Sequence, residues 1–139
     1  METNAAIQSS VEDLPAGGRL TLTHHSDYLH ALVRGPVDSL ALDQDYFARI
    51  AAASRGIRRV LIEEDLGTQL SIAEIFWLGC EAATLAANGT RIAFVDRHDS
   101  HRPGNEFGAR VAHNRGANVR VCADVNEALA WLRVGEPGD

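Results

Sequence analysis

The chain has 139 residues, 45% of them hydrophobic and 23% charged, the make-up of one ordinary globular domain. Its net charge of −6 excludes the basic stripe that nucleic-acid phosphates require. All 13 basic residues are arginine, so a P-loop, a Schiff-base enzyme and a receiver-type phosphate pair, each dependent on lysine, are disfavoured.

No apolar run is long enough to span a membrane, and the first residues have neither a basic head nor an apolar core of the signal-peptide kind. A cytoplasmic protein without a membrane partner is expected. Cys80 and Cys122 fall on different predicted elements with no zinc spacing, and read as small core side chains in a reducing compartment.

Residues 1–18 lack periodicity, end in Pro15-Ala16-Gly17-Gly18, and read as a flexible leader. Leu20 and Leu22 then alternate with Thr21 and Thr23 as a half-buried strand. A turn at His25-Ser26-Asp27 returns the chain into 28–34, giving an antiparallel hairpin that Gly35-Pro36 stops. Asp38 or Ser39 is placed to cap a helix whose inward face carries Leu42, Tyr46, Phe47 and Ile50.

That helix ends at Arg55-Gly56, and two later helices end alike at Asn88-Gly89 and Arg115-Gly116. Each glycine precedes a short strand, at 59–63, 92–96 and 119–122. Three helix–glycine–strand junctions predict successive crossovers into a parallel sheet. The last helix, 125–132, opens with Asp124 and Glu127 at capping-box spacing, and residues 134–139 read as a frayed tail. The expected fold is α/β: one domain over 19–133, with a mixed sheet of about five strands and four helices.

Helix 71–88 is long. Ser71 and Glu74 form Ser-x-x-Glu, a capping box that accounts for both residues. A phosphate at this N-terminus would also be electrostatically favoured, which makes Ser71 a candidate modification site and Thr68, in the preceding turn, the second. Helical projection puts Ile72, Ile75, Phe76, Gly79, Ala82, Ala83 and Ala86 on the buried side. Trp77 then lies on the opposite side with Glu74 and Glu81, flanked by Leu78 and Leu85. A tryptophan there either covers a neighbouring loop or anchors an interface, with Trp77, Leu78, Glu81 and Leu85 as its surface.

Two other groups have polar chemistry. Strand ends carry Glu63, Glu64, Asp65, Asp96, Asp99 and Asp124, which could hold Mg²⁺; helix caps and solvated loops are the plainer explanation. The loop Arg97-His98-Asp99-Ser100-His101-Arg102 offers Arg97 and Arg102 to an anionic ligand, and His98 and His101, with His113 further on, to a transition metal. Spacing fixes no third ligand, and no hydrolase or dinucleotide motif accompanies them.

The opening hairpin, RRVLIEED running into a helix, RIAFVD, and the closing VRVCADVNEALAWL together resemble the STAS family, the anti-sigma-factor-antagonist domains of bacterial partner switching. They are also similar to its uncharacterised STAS/SEC14-like branch. The resemblance spans about 20–132 and implies a non-enzymatic interaction domain without cofactor. Its partner would be a regulatory kinase, a sigma-pathway component or a second copy. Phospho-switch members carry Asp-Ser-Ser/Thr-Gly before the long helix, where this chain has Gln69-Leu70-Ser71-Ile72-Ala73-Glu74. The expected function is therefore protein binding through helix 71–88. A domain for a small or anionic ligand is the alternative, and a metal-assisted enzyme the third.

Overall fold

The computed structural model describes residues 7–86 and 89–134. Residues 1–6 of the expected leader, Asn88 at the expected helix end, and 135–139 of the expected tail lie outside the described residues. The described chain runs β1 (Gln8–Asp13), β2 (Arg19–His24), β3 (Leu29–Gly35), α1 (Leu40–Ala53), β4 (Arg59–Leu66) and α2 (Ile72–Leu85). It continues through β5 (Arg91–Asp96), α3 (Arg102–Asn114), β6 (Asn118–Cys122) and α4 (Val125–Leu132).

The class is α/β as expected, with four α-helices and a mixed sheet of six strands in the order β1-β2-β3-β4-β5-β6. The first two pairings are antiparallel and the next three parallel. The strand beyond the expected five is β1, which the sequence reading placed in the leader. Its residues QSSVED are nearly all exposed, so no buried face marks them. Pairing with β2 holds them instead, from Gln8 opposite His24 to Asp13 opposite Arg19. Arg49 of α1 also reaches Glu12 at 2.7 Å.

Period-2 alternation divides the parallel strands between two cores. Val60, Ile62 and Leu66 of β4 join Leu42, Tyr46 and Ile50 of α1, Ala86 after α2, and Ala112 of α3. Leu61 faces the other way, with Ala93, Val95 and Cys122, beneath Ala128 and Leu132 of α4. Thus α1, α2 and α3 cover one face and α4 the other. The three helix-ending glycines, Gly56, Gly89 and Gly116, have φ of +78°, +84° and +90°. No described residue lies within 4 Å of a Cβ placed on any of them, so backbone conformation calls for glycine there.

Helix α2 has a close neighbour. A Cβ on Gly79 would stand 2.7 Å from the Gly108 carbonyl oxygen and 2.8 Å from Val111 Cβ, so the missing side chain lets α2 and α3 touch. Among the described residues no helix is long and apolar enough to cross a membrane.

Candidate functional site

The carboxyl ends of β4 and β5, together with the start of α1, put acids under α2. On β4, Glu64 points to the α1–α3 face, while Glu63 and Asp65 point to the α4 side. The run Glu63-Glu64-Asp65 is therefore two environments rather than one cluster. Glu64 stands opposite Asp96 in the parallel register, and both line a cavity of about 80 Å³ beneath α2 and α3. Asp38 and Asp43 complete its acidic wall, with Tyr46, Gln69, His101 and Asn105 among the other polar residues and Leu78, Gly79 and Phe94 among the rest.

Local structure explains how Asp38 and Asp43 arrive there. Ser39 caps α1 by accepting the Leu42 N–H at 3.1 Å, so Asp38 is left outside the cap. The Asp38 N–H donates to Thr68 Oγ1 at 2.9 Å, which ties its loop to the turn before α2. Asp43 lies between Leu42 and Tyr46 on the buried stripe of α1, 1% exposed. Tyr46 donates its hydroxyl proton to Glu64 Oε2, and Glu64 is 6% exposed. Asp38 Oδ1 and Asp43 Oδ1 are buried with no hydrogen-bond donor among the described residues.

Burial governs the protonation of this wall. Desolvation first, then the charge of Glu64, pushes the Asp43 carboxyl up to about 12. Desolvation and the charge of Asp38 push Glu64 up to about 8, against the opposing Tyr46 hydrogen bond. Asp38 is raised too, chiefly by burial. When one of Asp38 and Asp43 holds a proton the two can share it; as two carboxylates, neither offers a hydrogen.

The loop after β5 is saturated with carboxylate partners. Arg97 lies 2.8 Å from Glu63 and 3.5 Å from Asp65, and His98 lies 2.9 Å from Asp65. His30 approaches the other Glu63 oxygen at 2.9 Å. His101 Nδ1 is 3.1 Å from Asp96 Oδ2, which also accepts from Asn105 at 2.9 Å, while Arg102 pairs with Glu106 one helical turn on. Arg97 and His98 thus belong to the α4 side, His101 to the cavity, and Arg102 to the start of α3. His98 also stacks on His101 at 5.1 Å between ring centroids, and lines a small cleft of about 10 Å³ with Arg102.

The expected interface residues separate in the same way. Trp77 is 60% exposed. Leu78 lines the cavity, whereas Glu81 and Leu85 line a groove facing α1. Ile72 and Phe76, expected in the core, are 62% and 39% exposed. Close contact with α3 at Gly79, and with the cavity through Leu78, turns the inward face away from Phe76. Phe76 meets Trp77 edge to face at 6.4 Å between ring centroids, and the Arg115 guanidinium lies 5.3 Å over the Phe76 ring. The exposed trio is therefore Ile72, Phe76 and Trp77.

Ser71 forms the expected capping box. Its Oγ accepts the Glu74 N–H at 3.3 Å, and Glu74 Oε1 accepts the Ser71 N–H at 3.0 Å. Ser71 and Thr68 are both exposed.

The sequence reading missed Asp43 and used Asp38 only as a cap candidate. The legible signal was an acid on the stripe formed by Leu42, Tyr46 and Ile50. Neither a comparison with models of known protein families nor one with curated proteins finds a match to this chain.

Proposed function

We propose that this domain acts as a cytoplasmic, STAS-like interaction module that binds another protein through the N-terminal half of α2. The exposure of Ile72, Phe76 and Trp77 side by side, with Arg115 over Phe76, carries this reading. Tryptophan, phenylalanine and arginine are the residue types enriched where binding energy concentrates. The occupant is an apolar side chain with a carboxylate beside it, the first for Trp77 and Ile72, the second for Arg115.

The size of the patch favours a transient partner over a stable self-pair. Three side chains supply a few hundred Å² at most, against about 800 Å² per partner in a standard interface. A regulatory kinase or a sigma-pathway component is the partner class that the STAS resemblance implies. Ser71 adjoins the patch, and a phosphate there would set its charge against Glu74 and break the capping box. That is the switch this reading assigns to the turn.

A photo-crosslinking residue at position 77, beside one at the equally exposed Val11, isolates the partner. The purified partner should bind the wild type and lose at least about tenfold affinity to Trp77→Ala, a hot-spot loss. Equal binding of both proteins overturns the reading. A wild-type dimer that Trp77→Ala dissociates in sedimentation replaces the partner with a second copy and overturns the choice of occupant.

A further inference from the structure

We propose that Asp38, Asp43 and Glu64 form a binding site for one hard divalent cation of the Mg²⁺/Mn²⁺ class, enclosed beneath α2. The site uses residues apart from the exposed trio, so it stands or falls separately from the interaction reading.

Geometry supplies the first support. One oxygen from each of the three carboxyls lies within 4.8 Å of the other two. Around an octahedral ion with ligands at about 2.1 Å, neighbouring oxygens are about 3.0 Å apart and opposite ones about 4.2 Å. The 4.8 Å ceiling on every pair lies about 0.6 Å above the wider separation, so binding an ion would draw the three oxygens together. The three donors come from the loop before α1, from α1 and from β4. The Thr68 hydrogen bond and the Tyr46 hydroxyl hold two of them in place.

Asp43 supplies the second. It is 1% exposed, lines the cavity, and its Oδ1 has no hydrogen-bond partner among the described residues. A buried carboxyl oxygen that accepts no hydrogen bond is costly, and a cation in the cavity would give it a partner. Among the described residues no arginine lines the cavity. Arg97 lies outside it with Glu63, and His101 is committed to Asp96.

The cavity itself supplies the third. At about 80 Å³ it has room for an ion and a few waters. It is far below the roughly 300 Å³ at which pockets for organic ligands begin. Three carboxylates with water completing the shell is an all-oxygen set, which selects hard cations over zinc or copper.

The test titrates the full chain with Mn²⁺ near pH 7.5, following free Mn²⁺ by electron paramagnetic resonance and the heat of binding by calorimetry. One saturable site is expected, competed by Mg²⁺ and raising the thermal midpoint. Asp43→Asn and Glu64→Gln should each weaken binding more than about tenfold. Asp13→Asn, at an exposed carboxylate, should leave it unchanged. No saturable site in the wild type, or equal binding by Asp43→Asn, overturns the proposal. Failure of both cavity variants to fold also counts against it, because neutralising an uncompensated buried acid should stabilise the ion-free protein.

Discussion

Replacing Asp43 with asparagine should make the ion-free protein more stable, which is unusual for a change at a buried polar residue. The side chain keeps its shape but loses its ionisation. In the unfolded chain Asp43 titrates near 3.8, whereas burial, with the charge of Glu64 behind it, holds the native carboxyl up to about 12. Folding at pH 7 therefore requires uptake of a proton. At about 1.4 kcal/mol per pH unit above 3.8, this costs about 4 kcal/mol. Asparagine avoids that cost and can donate to Asp38, while losing some of the native fit, so a net gain of about 2–4 kcal/mol is expected. The sign depends on pH. A raised native value contributes stability that is complete below 3.8 and drains away as pH rises towards the native value, so the variant's advantage should vanish near pH 4 and grow towards pH 8. Urea unfolding with chelator present, at about pH 4 and pH 7.5, measures it. A variant less stable than wild type at pH 7.5, or a difference that ignores pH, would refute the reasoning and mean that Asp43 is ionised and satisfied in the native protein.

Glu64, pushed from 4.5 up to about 8 by the same burial, should make wild-type stability fall between about pH 4.5 and pH 8, and Glu64→Gln should flatten that slope; urea midpoints across the range check it. Gly79→Ala forces a methyl group to within 2.7 Å of the Gly108 carbonyl oxygen and should cost about 1–3 kcal/mol, read as a lower thermal midpoint. Ser71→Ala removes the α2 cap and should cost about 1 kcal/mol by urea unfolding; Ser71→Asp, which can still cap, should cost less.

Much of the architecture was legible because its signals are local. Gly56, Gly89 and Gly116 mark left-handed helix endings by their own backbone needs, and Ser71-x-x-Glu74 is a cap wherever it begins a helix. Strand β1 was not legible, since QSSVED is held by pairing to β2 and by Arg49, both distant in sequence. The rotation of α2 is also a tertiary fact. Projection alone left Phe76 inside, and only contact with α3 at Gly79 turned it out. For the acids, strand period already separates Glu64 from Glu63 and Asp65. What could not be read was that Asp38 and Asp43, more than 20 positions earlier, meet Glu64 across the start of α1.

The central claim, binding through the N-terminal half of α2, is tested most directly by hydrogen–deuterium exchange on the complex with the crosslinked partner. Protection should concentrate on the first two turns of α2 and the C-terminal end of α3 around Arg115, and Trp77→Ala should abolish it. Protection confined to another surface, such as α4 or the β1 edge, with α2 exchanging as in the free protein, would contradict the account.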